Sequence, residues 1–130
     1  MNDEINDEIP LDHPVEIGFD DFQERCAETD LGNIGGRKNL KPDWMYYVLG
    51  IGGETGELLE KVKKLFRDSS GDPTLEQKEA IMQEMGDINW YMARLCDVLG
   101  MPYSSVAWLN IEKLQSRKDR EKLQGDGDNR

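Results

Sequence analysis

Cysteine is scarce in this 130-residue chain, which carries only Cys26 and Cys96. Two cysteines do not build a disulfide framework, and this pair lacks metal-ligand or redox spacing. Both fall in helical patterns and are expected to be packed thiols in a reducing cytoplasm. Histidine is scarcer still. His13, the single one, stands between Asp12 and Pro14 in an acidic segment and reads as a solvated residue. No stretch is long or apolar enough to span a membrane, and no secretory leader is recognisable, so a cytoplasmic protein is expected. Basic residues are also in deficit. Lys and Arg number 16 against 27 Asp and Glu, a net charge of −11. That balance argues against nonspecific binding to a nucleic-acid backbone.

The acidity is unevenly placed. Residues 1–30 hold 11 of the acids and one base, Arg25, which leaves 16 acids and 15 bases for residues 31–130. The body of the protein is therefore nearly neutral, and a polyanionic small molecule remains a possible ligand when a metal accompanies it. The length suits one domain with a modest core. Residues 1–18 contain the near repeat Asn2-Asp-Glu-Ile5 and Asn6-Asp-Glu-Ile9, followed by Pro10 and Pro14. So little apolar surface predicts a flexible acidic arm. Residues 19–123 are expected to form the helical domain, and 124–130 a short tail.

Helical spacing of apolar residues recurs four times. Phe19, Phe22, Cys26 and Ala27 predict a first helix to about Asp30. The stretch Leu31–Lys41 has three glycines and the bases Arg37, Lys38 and Lys41, and reads as a loop. Pro42 suits the start of a second helix, running from about Asp43 to Phe66 with Val48, Ile51, Leu58, Val62 and Leu65 on its apolar face. Thr74 and Gln77 form a capping box for a third helix, whose core stripe is Ile81, Met85, Ile88, Met92, Leu95 and Leu99. Gly100 ends it. Pro102 opens a fourth helix reaching about Leu123, along which Asn110, Lys113 and Arg117 share a stripe. The fold class is thus all-α.

Two stretches carry chemistry. In Gly52–Lys64 and Gln83–Tyr91, carboxylates recur three residues apart: Glu54 and Glu57, then Glu84 and Asp87. Residues i and i+3 lie on one helix face, with Cβ atoms roughly 5–6 Å apart. Packing the two helices together would bring four carboxylates into convergence, which makes sense only with cations between them. Hard oxygen donors suit Mg²⁺, with Mn²⁺ as a substitute. Gly50, Gly52, Gly53, Gly56 and Gly86 lie in or beside these stretches, although each costs a helix interior about 1 kcal/mol relative to alanine. Close backbone approach of the two helices is the expected reason. A second helix that starts late, near Gly53, is the competing one.

Together, GETGELLEKVKK, EMGDINWYMARL and NIEKLQSR resemble the MazG-type nucleoside triphosphate pyrophosphohydrolases, within the all-α NTP pyrophosphatase group that includes dimeric dUTPases. The family pattern is E-x-x-E, a spacer, then E-x-x-D, matched here by Glu54 to Glu57 and Glu84 to Asp87. The resemblance covers about residues 44–118. It implies a four-helix core assembled as a homodimer or homotetramer, and Mg²⁺-dependent hydrolysis of an NTP or dNTP to the monophosphate and pyrophosphate. It also implies Glu54, Glu57, Glu84 and Asp87 as metal ligands, with Lys61, Asn110, Lys113 and Arg117 near the phosphates. Glu57 or Glu60 would orient the attacking water.

Base recognition is less constrained. Trp44, Tyr47, Trp90 and Tyr91 flank the acids and could stack on a base, although aromatics at helical spacing are more often core. Asn33 and Asn89 could read a base edge. Two other functions stay open at this point: a pyrophosphohydrolase of another nucleotide, such as a phosphoribosyl-nucleotide, and a non-enzymatic acidic helical interaction protein.

Overall fold

The computed structural model describes residue 13 and residues 16–31 and 44–120. Most of the acidic arm, the basic residues Arg37, Lys38 and Lys41, and the tail lie outside the described residues. Four helices form: α1 (Phe19–Glu28), α2 (Trp44–Asp68), α3 (Leu75–Leu99) and α4 (Tyr103–Asp119). No strand occurs among the described residues.

The boundaries have local causes. At the start of α3 the Gln77 backbone N–H donates to Thr74 Oγ1 at 3.3 Å, and the Thr74 N–H donates to Gln77 Oε1 at 2.9 Å. The expected capping box is therefore formed, and two orphan donors of the first turn are satisfied. Gly100 closes the helix at φ 71°, a left-handed value that a Cβ would strain. Ahead of α3, α2 runs unbroken through Gly50, Gly52, Gly53 and Gly56, so the late start near Gly53 is excluded.

Helix α1 supplies the cap that α4 lacks in its own sequence. Pro102 has no side chain with which to cap α4. Instead the Ser104 N–H and hydroxyl donate to the Asp20 carboxylate at 3.0 and 2.8 Å, and the Tyr103 N–H donates to Gln23 Oε1 at 2.7 Å. The two bonds from Ser104 hold the Asp20 carboxyl below its usual value. A helix N-terminus offers unpaired N–H groups to any acceptor that reaches it, and here the acceptors come from a separate helix.

Helices α2 and α3 form the main pair, and α1 packs across α3. The core where α1, α3 and α4 meet holds Cys26, Ala93, Cys96 and Tyr103, with Phe22, Trp90, Met92 and Val106 around it. Both cysteines are free and buried there, and burial pushes both thiols up.

The predicted core stripes need correction. Leu65 is buried, but Val48, Met85 and Leu99 are exposed. The buried residues of α3 are Glu84, Ala93 and Cys96. The reason is geometric: α3 lies between α2 and α1 and must offer two contact faces. Close approach on these faces favours small or paired polar residues and turns Met82 and Met85 outward. Helix α4 packs on α1 and α3 and leaves Trp108, Leu109, Ile111 and Leu114 exposed.

Candidate metal centre

The α2–α3 seam is antiparallel, so contacts that advance along α2 recede along α3. An ideal Cβ at Gly50 would meet the Tyr91 ring, and Lys61 meets Glu84 with Nζ 3.0 Å from the carboxylate. Midway between these contacts lie the acids. One carboxylate oxygen each from Glu54, Glu84 and Asp87 falls within 4.8 Å of the others. Glu84 is buried, Glu54 half-buried and Asp87 exposed. Burial, then the charges of Glu57, Asp87 and Glu84, push the Glu54 carboxyl above its usual value. A site so rich in negative charge favours a cation, and three hard oxygen donors fit Mg²⁺ or Mn²⁺.

Glu57 is exposed and stands outside this group of three, yet its charge reaches Glu54 one turn away. Glu60 is engaged elsewhere. Its carboxylate pairs with Lys63 and, at 3.7 Å, with Lys64 on its own helix. The hydrogen bond from Lys63 is the main reason its carboxyl is held below its usual value.

Beside the acids a cavity of about 350 Å³ is lined by Thr29, Glu54, Asp87, Trp90 and Tyr91. The Trp90 indole N–H donates to Thr29 Oγ1 at 2.7 Å, which ties the end of α1 to this wall. The next residue is tied more strongly. Asp30 accepts from Arg94 Nε at 2.8 Å and from the Tyr47 hydroxyl at 2.5 Å. Arg94 also pairs with Asp97. The Asp30 and Arg94 side chains are 3% and 14% exposed, so this is a nearly dry charge network at the edge of the cavity.

The remaining sequence-predicted residues are dispersed. Tyr91 lines the cavity, whereas Trp44 is exposed at the start of α2 and does not line it. Tyr47 is buried core. Asn33 lies outside the described residues. Asn89 faces another side of α3, where it accepts from the Tyr103 hydroxyl at 3.0 Å. On α4, Asn110 and Lys113 are exposed and Arg117 is buried. Among the described residues, no hydrogen bond or ion pair joins Asn110 or Lys113 to the acids.

The expectation for the glycines is corrected in part. At Gly50 it is a side chain that comes close, not the facing backbone: a Cβ there would meet the Tyr91 ring. At Gly52, Gly53, Gly56 and Gly86 an added Cβ would meet nothing within 4 Å. The glycines beside the acids therefore mark no close approach, and Gly50, one turn from Glu54, seats a ring instead. Thr29, Asp30 and Arg94 were missed in the sequence reading. Their partners are 61 and 64 residues away, beyond any helical period.

Comparison with known proteins shows the family. The MazG nucleotide pyrophosphohydrolase domain matches residues 45–121, which include all four acids of the two motifs. The Gene 37 protein of Mycobacterium phage L5 is 47% identical over 111 residues, covering 85% of this chain and 97% of the relative. No solved structure matches. The domain match spans more than half of the chain and contains the seam, its acids and Lys61: this protein belongs to the MazG nucleotide pyrophosphohydrolase family.

Proposed function

We propose that the protein hydrolyses a nucleoside or deoxynucleoside triphosphate to the monophosphate and pyrophosphate, using Mg²⁺. The observation that carries this reading is the convergence of Glu54, Glu84 and Asp87 within 4.8 Å, with Lys61 already paired to Glu84. Glu54, Glu84 and Asp87 would hold the ion, and Glu57, whose charge reaches Glu54, would be the fourth ligand. A divalent ion held there supplies Lewis acidity to phosphate oxygens and to the attacking water.

The side chains divide the remaining work. Water attacks the α-phosphorus, the bond to the α–β bridging oxygen breaks, and pyrophosphate leaves. Glu57, exposed and apart from the lysines that occupy Glu60, would orient the water and take its proton. Lys61 can exchange Glu84 for a phosphate oxygen and offset its charge. The cavity walled by Trp90 and Tyr91 offers the nucleoside an apolar surface. Asn110, Lys113 and Arg117 belong to α4, whose exposed Trp108, Leu109 and Ile111 support assembly as a homo-oligomer. Burial of that face against a second copy is the route by which α4 would bring cations to a neighbouring site.

The test is a panel of the eight common NTPs and dNTPs, plus a phosphoribosyl-nucleotide, each with Mg²⁺ and with chelator. Products are separated by chromatography. Monophosphate with pyrophosphate, formed only with metal, is expected. Diphosphate with inorganic phosphate, or no product from any nucleotide, would contradict the assignment. Nucleotide-pool control or removal of unwanted nucleotides is the cellular role such an activity would serve.

A further inference from the structure

We infer that Gly50 is a positioning residue for nucleotide recognition, acting through Tyr91. The inference rests on the proposed nucleotide-hydrolysing function. A Cβ at Gly50 would lie 2.2, 2.3 and 2.6 Å from Cε1, Cδ1 and Cζ of the Tyr91 ring. Those distances are inside van der Waals contact, so the ring rests directly on the α2 backbone. No other glycine of α2 does this: Gly52, Gly53 and Gly56 face open space.

Three features tie this seat to the site. Gly50 is one helical turn before Glu54 on α2, and Tyr91 is one turn after Asp87 on α3. Residues four apart lie on one face, so ring and acids are neighbouring rungs of one seam. Tyr91 also lines the cavity that Glu54 and Asp87 share with Thr29 and Trp90. Finally, the ring has little freedom to yield. Trp90 meets it edge-on at 5.0 Å between centroids, and Tyr46 lies 6.1 Å away at 54°. A methyl group at position 50 must therefore displace the ring, and with it this wall of the cavity.

Helix propensity makes the glycine informative. Glycine in a helix interior is unfavourable relative to alanine, so an aromatic ring in contact is a physical reason to retain it. The seat fixes where the ring stands, and the ring sets the shape of the wall that a nucleoside meets. The seat lies one turn from Glu54 and Asp87, and metal binding is expected to be independent of it.

The experiment compares wild type, Gly50→Ala, Tyr91→Ala and the double variant, with Gly52→Ala as control. Calorimetry measures binding of the α,β-methylene analogues of dATP, dCTP, dGTP and dTTP with Mg²⁺, and of Mn²⁺ alone. Turnover is measured alongside. Gly50→Ala is expected to weaken analogue binding and raise KM by tenfold or more. Its kcat should stay within about threefold, with Mn²⁺ affinity and the Gly52→Ala control unchanged. In the Tyr91→Ala background, adding Gly50→Ala should change nothing further.

An unchanged KM in Gly50→Ala would overturn the inference. So would an equal effect of Gly50→Ala with and without the Tyr91 ring. If Gly50→Ala fails to fold, the double variant decides: its folding, with the binding of Tyr91→Ala alone, supports the seat, and its failure overturns it. Analogue binding without turnover in wild type would sink the proposed hydrolysis and leave the seat testable by affinity. No binding of any analogue by wild type would sink both.

Discussion

Neutralising one acid of the seam should make the metal-free protein more stable while removing its metal response. Glu54, Glu84 and Asp87 place three oxygens within 4.8 Å of one another. Two unit charges at that separation repel by about 3.5 kcal/mol at an effective dielectric constant near 20. Asp87 is exposed, so solvent and salt reduce each of its two pairs to ~0.5–1 kcal/mol. Asp87→Asn removes both pairs, leaves the Lys61–Glu84 ion pair intact and should gain about 1–2 kcal/mol. For a helical domain of this size that is a rise in Tm of roughly 4–10 °C in chelator. Wild type, in contrast, should be stabilised by Mn²⁺, by about 2.7 kcal/mol at a hundred times the Kd. Thermal melts by circular dichroism, in chelator and in Mn²⁺, separate the two terms. The reasoning is refuted if Asp87→Asn is less stable than wild type in chelator, or if it retains the full Mn²⁺ shift.

Other consequences concern the scaffold. Asp30→Ala removes the buried partner of Arg94 and the acceptor of the Tyr47 hydroxyl, while Arg94 keeps Asp97. A loss of ~2–4 kcal/mol in urea unfolding is expected, and a loss below about 0.5 kcal/mol would show that the network contributes little. Asp20 predicts a pH dependence. Its carboxyl lies below the ordinary 3.8 because of its bonds to Ser104. Ionised Asp20 thus adds stability above pH 3.8, and that stability is lost as pH falls through the lowered folded-state value. The Tm difference between wild type and Asp20→Asn should be present at pH 6, shrink below 3.8 and close at lower pH. A difference that persists unchanged into strong acid would mean that the charge of Asp20 is not its source.

Features set by neighbours in sequence were the legible ones. Thr74 with Gln77 and Gly100 fix the ends of α3 within a turn, and the pairs at Glu54 and Glu84 declare which faces of α2 and α3 meet. Features set by partners far along the chain were not. Nothing local says that Asp20 and Gln23 will cap α4, or that Asp30 will reach Arg94. Periodicity misassigned Met85 and Leu99 because it assumes one buried face per helix, whereas α3 packs against α2, α1 and α4. The glycines misled for a related reason: a helix shows how many glycines it has, but only packing shows that the ring of Tyr91 lies over one of them.

The most direct measurement is anomalous diffraction from crystals of the protein soaked in Mn²⁺. The account predicts an ion between α2 and α3, within coordination distance of carboxylate oxygens of Glu54, Glu84 and Asp87 and absent from Asp87→Asn crystals. Manganese bound elsewhere, with those three side chains ordered and bare, would contradict it.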